Sequence, residues 1–224
     1  MKEASVVAWD GPTRVFKWAL VLVVVDGWIS NRYGGGFPAW HKLNGYAALV
    51  LIVFRILWGF VGGSTARFGS FVAMPGKVLA YISDKKKYLG HNPLGGWMVV
   101  ALLALVLAMA SSGLFSGDED RLIIDGPLAK TVSDAAVESA TMWHRRIFTA
   151  IEIFVVVHVA ANVLYALFSR EPLIRAMITG RKPVDSYADM QAAEPGPWGR
   201  AFACLLVAAF IVLAPLYVVA GRLL

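Results

Sequence analysis

The chain has 224 residues, of which 58% are hydrophobic and 16% charged, and its net charge is +6. A mean hydropathy of +0.63 is too apolar for a soluble domain of this length and places the chain in a membrane. A single cysteine, Cys204, excludes an internal disulfide. The basic residues lie in loops where membrane topology would put them, so the charge calls for membrane lipid and for no nucleic-acid partner.

The N-terminal Met1-Lys2-Glu3-Ala4 lacks the n-region and cleavage site of a signal peptide, so the first apolar segment is expected to be retained. Five segments are long enough to cross about 30 Å of hydrocarbon. The first runs from about Thr13 to Asn31, with Pro12 close to the favoured N1 position of a helix. The others are His41 to Val61, Leu94 to Phe115, Thr141 to Phe168 and Gly199 to Gly221. The last holds Pro215 but no His, Asp or Glu and reads as a packing or lipid-facing helix. The second loop carries Arg67, Lys77, Lys85, Lys86 and Lys87, and the fourth carries Arg170, Arg175, Arg181, Lys182 and Arg200. The third is acidic, with Asp118, Glu119, Asp120, Asp125, Asp134 and Glu138 against Arg121 and Lys130. The positive-inside rule then puts the N-terminus in the cytoplasm and the C-terminus outside.

His144 and His158 lie fourteen residues apart in the fourth segment. In a helix that interval rises about 21 Å and returns to within roughly 40° of the starting direction. Two imidazoles on one side of an apolar helix, at two depths, require partners, and haem iron takes imidazole as an axial ligand. No C-x-x-C-H occurs, so covalent attachment is excluded and the haem would be b-type. His41 opens the second segment on the same outer side as His144, and the two can clamp one haem. His158 needs a partner from another helix, and Lys17 stands at matching depth. Arg55, fourteen residues after His41, shares its face at the inner level and can neutralise a propionate. Arg14 and Arg67 can do so at the cytoplasmic edge. His91 reads as a propionate or quinone contact, or as a loop-fixing hydrogen bond. Asp26 and Glu152 are costly in lipid and either hydrogen-bond inward or serve a proton path. Seven aromatic residues near helix ends (Phe16, Trp18, Trp28, Trp40, Trp58, Trp97 and Trp143) suit interfacial anchoring as well as haem packing. Gly27, Gly45 and Gly59 allow close helix approach or leave room for a macrocycle.

Several strings resemble prokaryotic cytochrome b561 proteins, which are related to the cytochrome b subunits of nickel–iron hydrogenases. They are Trp9-Asp10-Gly11-Pro12-Thr13-Arg14-Val15-Phe16-Lys17-Trp18, Trp40-His41-Lys42-Leu43-Asn44-Gly45-Tyr46, Phe54-Arg55-Ile56-Leu57-Trp58-Gly59 and Thr65-Ala66-Arg67-Phe68. Tyr88 through Gly96, Trp143-His144 and Leu173 through Gly180 continue the pattern in order. The resemblance covers roughly residues 6 to 183 and implies an all-α membrane protein with a four-helix transmembrane haem-binding bundle over 1–183; it leaves out 184–224, read from hydropathy as a linker and a fifth C-terminal transmembrane helix. It implies two b haems in a bacterial inner-membrane cytochrome that passes electrons between a quinone, such as ubiquinone, and a second redox partner. The acidic third loop would dock a basic periplasmic protein such as a c-type cytochrome.

Carried over by position, His41 and His144 hold the outer haem and His158 the inner one. Where relatives usually have a histidine in the first helix, this chain has Lys17. Three readings are open: neutral Lys17 ligates iron, the inner haem is five-coordinate, or that haem is absent and Lys17 snorkels to the interface. Two other functions also stand. One is a superoxide oxidase, with Arg32, Lys42, Arg145 and Arg146 steering the anion. The other is an anchoring or assembly subunit of a larger redox complex.

Overall fold

The structure is a computed structural model that describes residues 4–33, 38–84, 86–117, 126–169 and 173–221. Five long helices account for the apolar segments: α1 (Gly11–Tyr33), α2 (Pro38–Val61), α5 (Pro93–Gly113), α6 (Asp134–Leu164) and α8 (Trp198–Ala220). Shorter α3 (Phe68–Phe71), α4 (Pro75–Asp84) and α7 (Leu173–Thr179) lie between them, with strands β1 (Ser5–Val7) and β2 (Arg181–Pro183). Four of the long helices are apolar enough to cross a membrane: 39–61, 93–113, 134–168 and 198–220. Helix α1, with 23 residues, is long enough but carries Arg14, Lys17 and Asp26, which keep it out of that set. Residues 34–37, Lys85, Arg170, and Asp118, Glu119, Asp120, Arg121 and Asp125 of the acidic stretch lie outside the described residues, as does the Arg32 side chain.

Helix starts follow local chemistry. Asp10 caps α1, its Oδ1 accepting the Thr13 N–H at 2.8 Å, with Pro12 in the first turn. Asn92 caps α5 in the same way, accepting the Gly95 N–H at 2.7 Å ahead of Pro93. Helix α6 begins earlier than its apolar run, so Asp134 and Glu138 are helical and not part of a loop. The Ser133 carbonyl accepts the Ala136 and Val137 N–H groups, and Asp134 in the first turn complements the helix dipole. At its other end α6 widens into a π-helical turn, Tyr165–Ser169.

The chain divides into two compact units, each assembled from separated stretches. The first comprises Met1–Lys17, Arg55–Leu102 and Val155–Cys204. Its core packs Ala8, Trp9, Leu89, Ala176, Tyr187 and Ala193, with Val6, Val7 and Met190 against them. Here β1 and β2 pair antiparallel in the register Ser5↔Pro183, Val6↔Lys182 and Val7↔Arg181. The stretch 184–197, read as a linker from sequence, is fastened within this unit. Ala193 donates to the Val7 carbonyl, Ser64 to that of Glu194, and Ala188 to that of Lys87. Trp58 is fully buried and donates to Thr13 Oγ1 at 3.2 Å, so it is core and not an interfacial anchor. Phe16 is likewise buried, whereas Trp18, Trp28, Trp40, Trp97 and Trp143 are exposed as anchors would be.

The second unit comprises Trp18–Phe54, Leu103–Phe154 and Leu205–Leu224. Within it the Asn44 amide donates to the Val23 carbonyl at 2.8 Å. Thr141 Oγ1 accepts from Gly117 N at 3.0 Å and lies 2.9 Å from the Gly117 carbonyl, so one hydroxyl ties the start of α6 to the residues after α5.

Candidate functional site

In the second unit, the His41 and His144 rings face each other edge to face, with centroids 6.3 Å apart. Each ring is held through Nδ1. That of His41 lies 3.0 Å from Ser30 Oγ, and that of His144 lies 2.9 Å from the Met109 carbonyl and 3.3 Å from Ser112 Oγ. The Met109 bond requires a proton on Nδ1 of His144, which leaves its Nε2 lone pair for a metal, the second-shell arrangement of ligating histidines. Two metal–imidazole bonds of roughly 2 Å each, as at zinc, plus the two ring radii, add to about 6 Å. The pair borders a cavity of about 580 Å³ whose wall includes Gly27, Gly45, Val106, Phe148 and Ile151, with Lys42 and Arg145 also contributing. A Cβ at Gly45 would meet nothing within 4 Å, so this glycine opens onto free space. A Cβ at Gly113 would lie 3.0 Å from His144 Cε1, so that helix must present hydrogen there for the ring to sit where it does.

The inner group lies in the first unit. Lys17 Nζ stands 3.7 Å from the centre of the Trp9 ring. It is buried without a hydrogen-bond partner among the described residues and does not snorkel to the interface. His91 packs between Trp9 and Phe71, with ring centroids 4.6 and 4.8 Å away, and its Nδ1 is also buried and unpartnered. It thus makes an aromatic contact, and no loop-fixing hydrogen bond through that atom. Burial, reinforced by the charges of Lys17, Arg55 and Lys182 and by His158, holds the His91 imidazole well below its ordinary pKa. Arg55 is 2% exposed, with its guanidinium over Phe68 at 5.0 Å and Phe71 at 5.5 Å. Its Nη1 has no partner among the described residues. His158 is close enough to Lys17 to feel its charge, but its Nε2 is 3.3 Å from the Asn162 amide nitrogen. That amide also donates to the His158 carbonyl at 2.7 Å. Coordination through Nε2 therefore requires Asn162 to give up the first contact and keep the second.

Of the remaining sequence candidates, Arg14 is beside Gly180 and the Trp9 carbonyl, with Nε buried and unpartnered. Arg67 donates from Nε to the Gly62 carbonyl at 2.9 Å, which fixes the chain after α2. Asp26 accepts the Trp40 indole N–H at 2.9 Å, an exposed bond between α1 and α2. Glu152 is exposed. Asp10, Trp9 and Lys182 carry structural weight that sequence reading did not assign. Asp10 Oδ2 accepts the Gly63 and Gly196 N–H groups at 3.1 and 3.3 Å. Lys182 is 3% exposed and donates to the Tyr88 carbonyl at 2.8 Å. An Asp before Gly-Pro is a readable cap signal, whereas nothing in the sequence marks a lysine on a three-residue strand as buried.

Residues 8–180 match the sequence profile of prokaryotic cytochrome b561. The chain belongs to that family. Among curated relatives, a protein of Bradyrhizobium diazoefficiens is 24% identical over 80% of this chain and 86% of its own length. One of Azotobacter vinelandii is 25% identical over 80% and 89%. Both are described as a probable Ni/Fe-hydrogenase B-type cytochrome subunit. No solved structure gives a significant match. The chain is thus a multi-pass membrane b-type cytochrome of electron transport, and its cofactor is haem b.

The outer residues fit that cofactor. Among the described residues no group of three or more His, Cys, Asp or Glu forms a metal cluster. A bare ion would find only two protein ligands at the outer pair. A haem brings four equatorial nitrogens of its own and needs only the two imidazoles and a hydrophobic slot.

Proposed function

We propose that the chain carries electrons across a bacterial inner membrane, between the quinone pool and a periplasmic redox partner, using two b haems. The observation that carries this reading is the His41–His144 pair, with Nδ1 of both rings occupied by protein groups, beside a cavity of about 580 Å³. Haem supplies reversible one-electron chemistry at iron. His41 and His144 would hold the outer group, with Ser30 and the Met109 carbonyl fixing their rings, and Lys42 and Arg145 would neutralise its propionates. His158 holds the inner group, with Asn162 orienting that ring from the next turn. Basic loops set the N-terminus in the cytoplasm. Helix α1 spans the membrane as a member of the bundle despite its charges, and α8 adds a fifth, C-terminal span beyond the 1–183 core.

The relatives' names favour a second role for the same site, as the membrane subunit of a larger redox complex whose catalytic partner delivers the electrons. Haem quantification against protein tests the core reading. The expected ratio is two haems per chain, falling to one in His41→Ala and in His144→Ala. A ratio unmoved by either substitution refutes the outer site. Copurification of a stoichiometric partner distinguishes the subunit role from a free-standing carrier.

A further inference from the structure

Four buried side-chain nitrogens in the first unit lack a hydrogen-bond partner among the described residues: Arg14 Nε, Lys17 Nζ, Arg55 Nη1 and His91 Nδ1. Native proteins pair nearly all such groups, and unpaired buried cations are the costliest to leave. Three of the four are tied together by shared rings. Lys17 and His91 both contact Trp9, and His91 and Arg55 both contact Phe71. Lys182 adds a further buried cation near enough to act on Lys17 and His91.

The carboxylate acting on Lys17 and Arg55 is Asp10, but its oxygens already accept three backbone N–H groups. The cluster therefore holds several positive charges against one acid that is already engaged. Lys17 Nζ also packs on the Trp9 indole face, 3.7 Å from its centre.

We propose that Lys17, Arg55 and His91, with Arg14 at the edge, form a buried oxyanion site in which Lys17 Nζ is an anion ligand and not an iron ligand. The inference rests on the haem reading only for one of two sources of the anion. Its ligand is a carboxylate or phosphate-type group, either a propionate of the inner haem or a free inorganic oxyanion. Both present two or more oxygens that can take N–H donors from a lysine, an arginine and an imidazole together.

The test uses the purified haem-loaded chain in detergent, with wild type, Lys17→Met and Lys17→Arg. Inorganic phosphate is titrated at constant ionic strength while thermal unfolding is followed. Redox-difference infrared spectra are recorded on protein carrying haem with ¹³C-labelled propionates. A free-anion site gives saturable stabilisation by phosphate, weakened roughly tenfold or more in Lys17→Met and kept in Lys17→Arg. A propionate site gives no phosphate response but labelled carboxylate bands that shift in Lys17→Met and return toward wild type in Lys17→Arg. If wild type shows neither stabilisation by phosphate nor labelled carboxylate bands in the redox difference, the site does not exist, and this arm needs no variant to fold. A changed low-spin ferric resonance in Lys17→Arg would make lysine an iron ligand and overturn the proposal. A ratio of one haem per chain with the phosphate response intact would refute the two-haem reading and leave the oxyanion site standing.

Discussion

Gly45→Leu separates a cavity that holds a macrocycle from a cavity that is merely a packing fault. Gly45 lies within α2, lines the space of about 580 Å³ beside the histidine pair, and has nothing within 4 Å of an added Cβ. In the protein alone every contribution favours leucine. The helix gains about 0.8–1 kcal/mol from replacing glycine, and partial burial of the new side chain adds on the order of 1–2 kcal/mol. If the cavity receives haem, the leucine competes with the ring. Overpacking of about 1–3 kcal/mol corresponds to retention weakened by roughly 5- to 150-fold at the outer site. The two cases differ in sign. The assay is the haem-to-protein ratio after purification, read with the melting temperature of the same sample. Loss of one haem with a folded, multi-pass chain is the expected result. A Gly45→Leu protein that keeps full haem content and melts higher than wild type would refute the assignment of this cavity.

Three further outcomes follow from neighbouring geometry. Gly113→Ala places a Cβ about 3.0 Å from His144 Cε1; the ring must give by a few tenths of an ångström, and the ferric resonance of a haem held by His144 is expected to broaden or its content to fall. Asp10→Ala leaves the N–H groups of Thr13, Gly63 and Gly196 without their acceptor and should destabilise the chain by about 2–4 kcal/mol in thermal unfolding. His91 is held neutral in the folded chain, its pKa well below the ordinary value of 6.5. The unfolded chain therefore takes up a proton that the native one refuses as pH falls below about 6.5. Stability is full above that pH and declines from there toward the folded pKa, and His91→Phe should flatten the decline measured between pH 7 and 5.

The long helices were legible because a bilayer imposes length and apolarity, and each apolar run survived as one helix within a few residues. The exception at α6 shows the limit: hydropathy marks where lipid begins, while hydrogen-bond geometry at Ser133 marks where the helix begins. Strands β1 and β2 were invisible, since three-residue strings pair only because distant segments are brought together. The His41–His144 partnership could be read from spacing and segment polarity. Its Nδ1 partners Ser30, Ser112 and the Met109 carbonyl could not, because they depend on helix rotation and register. Lys17 was legible as a departure from its relatives, but its approach to Trp9 depends on a fold of residues 4–10 that no periodicity encodes.

The clasp at Asp10 also sets an order of events during synthesis. One carboxylate joins the start of α1 to Gly63 and to Gly196, partners 53 and 186 positions away. The outer histidine pair is complete once residue 144 has emerged from the ribosome, but the inner pocket cannot lock until residue 196 is made. At bacterial elongation rates those roughly fifty residues take about 3–10 s. The His41–His144 site can thus mature first, and the Asp10 contacts close behind it as the last segment arrives.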